Sequence, residues 1–269
     1  MILFPNSKIN IGLHVADKRG DGYHNIETIF FPVQVNDVLE IISAEELKFS
    51  VSGLTIAGNT NDNLCVKSYR LLKNDFPQLP QVNIFLHKAI PMGAGLGGGS
   101  ADGAFALLLL NRLFQLNLSA DQLIGYASQL GSDCPFFIIN KPCFASGRGE
   151  ILEQVELDLS AYSFLLVHPN IHINTAWAFS KVKISKEDKS VKEIIAQPIS
   201  AWKEELKNDF EEPVFSEYPQ LKMIKEKLYD AGALYASMTG SGSTIFGIFK
   251  KNNIPSLSFD KNFSVFAIK

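Results

Sequence analysis

Five of the seven residues from Gly93 to Gly99 are glycine, within the run Pro91-Met92-Gly93-Ala94-Gly95-Leu96-Gly97-Gly98-Gly99-Ser100-Ala101. Ordering such a loop costs backbone entropy, and its missing side chains let a ligand reach bare main chain. Val82, Ile84 and Leu86 alternate before it, and the apolar run Ala104 to Leu110 follows, so the pattern predicts strand, loop, helix. A helix opening from this loop would present unpaired N–H groups and the positive end of its macrodipole, which suits a phosphate. The run lacks the closing Gly-Lys-Ser/Thr of a Walker A loop. Gly93, Gly95 and Gly98 fit G-x-G-x-x-G, but a dinucleotide unit also needs a second strand carrying an acid after the helix. A second helical segment follows here instead. A flexible linker is disfavoured by the flanking strand and apolar helix.

The remaining composition bounds the setting. With 269 residues the chain suffices for one large domain or two ordinary ones, and 46% hydrophobic residues are ample for a core. A net charge of −3 argues against a nucleic-acid binder driven by bulk electrostatics. Cys65, Cys134 and Cys143 are odd in number and lack metal-ligand spacing, which predicts reduced thiols in a reducing compartment. The opening Met1-Ile2-Leu3-Phe4-Pro5 does not read as a leader, and the longest apolar stretch is far too short to span a membrane. These features predict a cytoplasmic protein with no membrane and no nucleic-acid partner, and they imply no obligate protein partner.

Period-two alternation of Ile9, Ile11, Leu13 and Val15 predicts a strand, followed by a turn over Asp17 to His24. Further strands are predicted at Val38–Ile42, Leu47–Val51, Phe164–Val167, Leu234–Met238, Ile245–Phe249 and Ser264–Ile268. Asn61 and Asp62 are candidate caps for a helix reaching about Phe76, and Ser119 with Gln122 forms a capping box for a helix stopping at Gly131. Helices are also expected from Thr175, over Trp202–Phe210 and over Glu217–Ala231. Gly103 falls inside the helix after the glycine loop, at a propensity cost of about 1 kcal/mol against alanine. No internal repeat is present. Two domains are expected, residues 1–155 and 156–269.

Several residues have two readings. Ser100 is either a helix cap or a hydroxyl for a phosphate or Mg²⁺. Asp133, in Leu130-Gly131-Ser132-Asp133-Cys134-Pro135, is either the cap of the next helix or a general base. Lys8 is either a solvated strand-end lysine or a charge that keeps a carboxylate ionised. Tyr23 and His24 either fold back on the core or stack on a base and bind its edge. Phe179 alone reads as core. Thr239-Gly240-Ser241-Gly242-Ser243 is either a tight hairpin or a second contact for phosphate or substrate.

The glycine run fills the Pro-x3-Gly-Leu-Gly-x2-Ser-Ala pattern of the GHMP kinases without a gap, through Pro91, Gly95, Leu96, Gly97, Ser100 and Ala101. That family takes its name from galactokinase, homoserine kinase, mevalonate kinase and phosphomevalonate kinase. The resemblance runs from Pro5-Asn6-Ser7-Lys8-Ile9-Asn10-Ile11 to Met238-Thr239-Gly240-Ser241-Gly242. It also takes in Arg19-Gly20-Asp21-Gly22-Tyr23-His24, the Asp133 segment and Asn208-Asp209-Phe210-Glu211. The Arg19–His24 segment looks like a cytidine-binding turn. The implied fold is an α/β (α+β) two-lobe kinase, with an N-terminal lobe like the second domain of ribosomal protein S5 and a ferredoxin-like C-terminal lobe.

The resemblance implies an ATP- and Mg²⁺-dependent kinase of the non-mevalonate isoprenoid route. It would phosphorylate the 2-hydroxyl of a small alcohol carried on cytidine diphosphate. Asp133 would accept the hydroxyl's proton, and Lys8 would orient and polarise that hydroxyl. Asn10 would bind the substrate near the reacting centre. Tyr23 would stack on the cytosine, His24 would bind its edge, and Phe179 falls where the family has a further aromatic. Thr239, Gly240 and Ser241 would contact the substrate. Pro91, Met92, Gly93, Ala94, Gly95, Leu96, Gly97, Gly98, Gly99, Ser100 and Ala101 would hold the ATP phosphates, with Ser100 a candidate Mg²⁺ ligand and Asn63 near the nucleotide. Two rivals remain. A kinase for a plain alcohol has no base for Tyr23 and His24 to recognise, and a GHMP-fold regulator could lack Asp133 or Lys8, whereas this chain has both.

Overall fold

A computed structural model describes residues 1–56, 58–184 and 189–269. The chain opens with β1 (Ile2–Leu3), β2 (Asn6–Lys18), β3 (His24–Asn36), β4 (Val38–Ala44) and β5 (Lys48–Gly53). Helix α1 (Leu64–Asp75), β6 (Gln81–Lys88), α2 (Gly98–Leu113), α3 (Ala120–Leu130) and α4 (Cys134–Ile139) follow. Then come β7 (Cys143–Ser146), β8 (Ile151–Gln154), β9 (Tyr162–His168), α5 (Thr175–Lys181), α6 (Val191–Ile195), α7 (Ile199–Glu205), α8 (Glu211–Glu217) and α9 (Pro219–Asp230). The chain closes with β10 (Tyr235–Met238), β11 (Ile245–Lys250) and β12 (Ser264–Ile268).

These elements form two compact units, each assembled from several stretches of chain. The first comprises Met1–Ser7, Gln34–Met92 and Gly97–Lys141. Its sheet has the order β1-β4-β6-β5, with β5 parallel to β6 and the other pairs antiparallel. Along β6 the buried side chains are Val82, Ile84, Leu86 and then Lys88, so the alternation carries a lysine inward at the strand's end. Helix α2 buries most of its circumference, as its run of alanine and leucine predicts. Gly103 allows that depth: a Cβ there would stand 2.8 Å from Leu64 Cβ of α1. What helix propensity scores as a loss is therefore the condition for close helix packing. The Ser68 hydroxyl of α1 also donates to the Gly103 carbonyl at 2.8 Å.

The second unit comprises Lys8–Val33, Gly93–Leu96 and Pro142–Lys269. One of its sheets has the order β10-β11-β9-β12, with β9 central and buried from Ser163 to His168. The other has the order β2-β3-β7-β8. β2 is buried on both faces from Asn6 to Leu13, so its polar positions are covered as well as its aliphatic ones. The core of the unit gathers Leu13, Val15, Phe210, Val214, Leu221, Leu228 and Met238.

The expected strands form, but β1, β3, β7 and β8 lie outside the expected set; the Ser119–Gln122 capping box forms as expected with Gly131 as the C-cap. Three helix boundaries differ. The cap of α1 is Asn63, whose side chain accepts from Cys65 N, while Thr60–Asp62 forms a single 3₁₀ turn before it. The helix expected over Trp202–Phe210 ends at Glu205. Beyond it Leu13 N donates to Lys207 O at 2.8 Å and Asp209 N donates to Leu13 O at 2.9 Å, so strand-like pairing with β2 outcompetes the helical pattern. The helix expected over Glu217–Ala231 begins at Pro219, because a proline pushes the residue before it, Tyr218, out of the helical region. Helices α6, with its Ser190–Glu193 capping box, and α8 were not anticipated.

Candidate active site

The loop expected to hold phosphate begins and ends on one buried cluster of the first unit. The Asp37 carboxylate accepts N–H groups from Ala89 at 2.6 Å and Ile90 at 2.8 Å, just before Pro91. The Lys88 ammonium donates to Asp37 and, at 2.8 Å, to Asp102 on the second turn of α2. All three side chains are buried. Burial drives the Asp102 carboxyl well above the usual carboxylate range, against the pull of Lys88. Burial alone would lower the Lys88 ammonium, but Asp102 and Asp37 outweigh it and hold it above its ordinary value.

Gly98 opens α2 directly over this cluster. A Cβ there would lie 2.8 Å from Ile90 Cγ2 and 2.9 Å from Lys88 Nζ. The N-cap, Gly97, has a φ of 70° and offers no side-chain cap, so no cap side chain takes the first N–H groups of α2. Ser100 sits in that first turn with its hydroxyl on the Cys134 thiol, whose pKa burial nonetheless pushes up to about 12. Ala101 and Pro91 are buried, and Met92 is exposed. Asn63 spends its side-chain oxygen on capping α1, at 2.9 Å from Cys65 N.

Asp133 belongs to the same unit and stands at the N-cap position of α4, but makes no side-chain cap hydrogen bond with it. The capping alternative therefore does not account for this carboxylate. The Ser132 hydroxyl lies 3.5 Å from its Oδ1.

The second unit holds the rest of the loop, Gly93 to Leu96, together with Lys8 and the Thr239 turn. Lys8 is only 4% exposed, which rules out the solvated strand-end reading. Its Nζ donates to Asn10 Oδ1 at 2.6 Å and lies 4.9 Å from the centre of the Phe30 ring. Its backbone N–H donates to Leu96 O at 2.9 Å. Asn10 is held at two further points: Nδ2 donates to Thr28 Oγ1 at 3.0 Å and the backbone N–H to Thr239 Oγ1 at 3.0 Å. The Thr239 hydroxyl in turn donates to Gly95 O at 3.0 Å. Gly95, at a φ of 78°, lies so close to the Thr239 carbonyl that any Cβ would overlap it. Thr239–Ser243 is thus more than a hairpin, for it grips both β2 and the glycine loop. Ser241 Oγ is 3.1 Å from Thr175 Oγ1, and Gly240 adjoins Asn10, its Cβ position 3.6 Å from Oδ1.

The aromatic candidates share this unit. Arg19 N donates to Tyr23 O at 2.8 Å, and Tyr23 N to Asp21 Oδ1 at 3.1 Å, which pre-forms the turn. That second bond holds the Asp21 carboxyl below its usual range. Tyr23 projects 57% exposed, with the Arg148 guanidinium 5.0 Å from its ring centre. His24 stacks on Phe179 at 4.9 Å between centroids, with 17° between the planes, and Phe179 meets Phe210 edge-on. Phe179 is therefore core on one side and a platform for His24 on the other.

Asp37, Lys88 and Asp102 as a group, and Arg148 and Asn208 singly, have no role among the expectations from sequence. Lys88 had a signal, since it continues the inward alternation of β6. Asp102 had one too, as an acid in an otherwise apolar helix. Asp37 had none.

A family model of the GHMP kinases N terminal domain matches residues 63–141, and one of the GHMP kinases C terminal domain matches 190–257. The chain belongs to the GHMP kinases, and it has their mixed α/β architecture. Within that family it is 52% identical over 266 residues to the 4-diphosphocytidyl-2-C-methyl-D-erythritol kinase of Azobacteroides pseudotrichonymphae, covering 98% of both chains. It is 50% identical to the kinase of that name from Bacteroides fragilis, over 98% of this chain and 97% of the relative. A crystal structure of 4-(cytidine 5'-diphospho)-2C-methyl-D-erythritol kinase superposes with a TM-score of 0.80 at 30% identity, covering 92% of this chain and 90% of that one. The protein is accordingly an ATP-dependent kinase. Among the described residues no helix is long and apolar enough to cross a membrane.

Proposed function

We propose that this kinase transfers the γ-phosphoryl group of ATP to the 2-hydroxyl of 4-diphosphocytidyl-2-C-methyl-D-erythritol, giving the 2-phosphate and ADP, as a step of the non-mevalonate route to isoprenoid precursors. The observation that carries the reading is one hydrogen-bonded chain: Lys8 to Asn10, Asn10 to Thr239, Thr239 to Gly95. It ties a buried ammonium to the backbone of the glycine loop.

Pro91 to Ala101 cradle the ATP phosphates through backbone N–H groups at the start of α2. Asp133 takes the proton of the attacking hydroxyl, and the Lys8 ammonium polarises that hydroxyl's oxygen. Asn10 holds Lys8 in place and meets the substrate beside it. Tyr23 offers its exposed ring to the cytosine. His24, its face held by Phe179, keeps its ring edge for the base's hydrogen-bonding edge. Thr239, Gly240 and Ser241 border the substrate next to Asn10, and Asn63 lies by the nucleotide as the cap of α1.

A Mg²⁺ ion would arrive with the nucleotide rather than sit in a protein-built cage. Among the described residues no group of three His, Cys, Asp or Glu side chains could hold a metal. Mg²⁺ with few protein ligands is usual where substrate phosphates supply the others. The Ser100 oxygen would be the chain's ligand, and the ion would neutralise phosphate charge. Three unpaired, buried cysteines fit a reducing compartment, so a cytoplasmic location is part of the proposal.

The test is ADP release from MgATP with 4-diphosphocytidyl-2-C-methyl-D-erythritol, mevalonate, homoserine or no acceptor. Turnover with the cytidylated alcohol alone is expected. Turnover only with another alcohol refutes the cytidine assignment. No turnover by folded protein that binds ATP refutes the substrate altogether.

A further inference from the structure

We propose that Asn208 is a positioning residue for phosphoryl transfer, setting the Thr239 turn that holds Lys8 and Gly95. The proposal rests on the assignment of Lys8 and the glycine loop to the phosphoryl-transfer site. Asn208 is buried, and its backbone is locked to β2 by the bridge to Leu13. Its side-chain nitrogen spends both hydrogens on the carbonyls flanking Thr239: Met238 O at 2.7 Å and Gly240 O at 2.9 Å. Its side-chain oxygen accepts Phe210 N at 3.0 Å.

Only a primary amide meets all three demands from one side chain. A carboxylate has no donors, a hydroxyl has one, and glutamine is a methylene too long. The neighbouring residues brace the same two strands. Asp209 Oδ2 accepts Val15 N at 2.7 Å and lies 2.8 Å from His14 Nδ1 on β2. Glu211 Oε1 accepts Met238 N at 2.8 Å and the Ser237 hydroxyl at 3.1 Å on β10. The segment Asn208 to Glu211 is therefore a bracket between β2 and the end of β10.

The turn does not need Asn208 in order to close. Thr239 N donates to Thr244 O at 3.0 Å, and Gly242 N to Thr239 O at 3.1 Å. Asn208 decides where the closed turn sits. Thr239 Oγ1 is the junction: it accepts Asn10 N and donates to Gly95 O, while Asn10 Oδ1 takes Lys8 Nζ. A shift of the peptides at residues 238–240 therefore reaches the lysine and the loop together.

The experiment compares Asn208→Asp, nearly isosteric but without donors, with Asn208→Ala. Steady-state kinetics with MgATP and the alcohol the wild type phosphorylates are measured well below each variant's melting temperature. Misplacing a reacting group by about an ångström can cost about 100-fold. Asn208→Asp is thus expected to lower kcat about 100-fold and Asn208→Ala about 10-fold, with the KM for the alcohol within about threefold. Folded variants with wild-type kcat and only a lower melting temperature would overturn the proposal. If the aspartate variant does not fold, the alanine variant decides by the same criterion. A wild type inactive on every alcohol points to the functional reading instead, so the two failures are distinguishable.

Discussion

Replacing Gly99 with alanine separates what the fold demands of the glycine loop from what a ligand demands. Gly93, Gly95 and Gly97 have φ values of 65°, 78° and 70°, and Gly98 is hemmed in by Ile90 and Lys88. Gly99 has neither constraint. It lies in the first turn of α2, its φ is not positive, and a Cβ would meet nothing within 4 Å. The protein alone has no use for glycine there, and alanine gains up to about 1 kcal/mol of helix stability. For a domain of this size that raises the melting temperature by about 2–4 °C. The ligand-bound state responds in the opposite direction. If a phosphate comes against the bare backbone, the added methyl displaces it and weakens one charge-assisted hydrogen bond, worth about 1.5–3 kcal/mol. ATP affinity then falls about 10- to 150-fold. Thermal melts without nucleotide and calorimetric titration with ATP read the two effects separately. Wild-type ATP affinity would refute the cradle at Gly99, and a lower melting temperature would refute the account of why glycine is there. Gly95→Ala is the contrast: strained at positive φ and pressed on Thr239, it loses stability and ATP binding together.

Three further outcomes are expected. Asp133→Ala lowers kcat by about 10²- to 10⁴-fold while ADP still binds, and near-normal turnover rules out the base. Tyr23→Ala removes stacking worth about 1–3 kcal/mol, so the KM for the cytidylated alcohol rises about 5- to 150-fold while the KM for ATP stays put; equal changes count against stacking. Lys88→Met leaves Asp37 and Asp102 buried without their cation, at a cost of about 3–5 kcal/mol. Its melting temperature should drop by about 6–20 °C in a thermal melt, and an unchanged value would mean the carboxylates are not shut off from water.

Local conformational demands were readable in the chain. Alternation placed β2, β6 and β10 but not β3 beyond the Asp17–His24 turn, and Ser119 with Gln122 marked a helix start that the structure keeps. The glycine run announced its loop because a φ near 70° admits few other residues. Reading failed where a distant partner outbid a local preference. The residues from Trp202 to Phe210 carry a helical pattern, yet Leu13 draws the end of that stretch into pairing across 195 positions of chain. The Asn61 and Asp62 caps missed by one or two residues for a smaller reason. A 3₁₀ turn precedes α1, and three polar residues in a row offer equivalent side chains.

Long-range geometry does leave a trace of another kind. Lys8, Asn10, Asp37, Lys88, Asp102, Asn208 and Thr239 are all buried, and each makes polar contacts that a leucine could not. Burying such a group without a partner is costly, so a polar residue at an inward position implies a partner somewhere. The position of Lys88 on β6 stated that need without saying who met it. The same logic separates Asn10 from Gly99. Asn10 is explained by atoms within the protein, one of them 229 residues away. Gly99 has no such explanation in the fold, and the ATP titration of Gly99→Ala tests whether a bound phosphate supplies one.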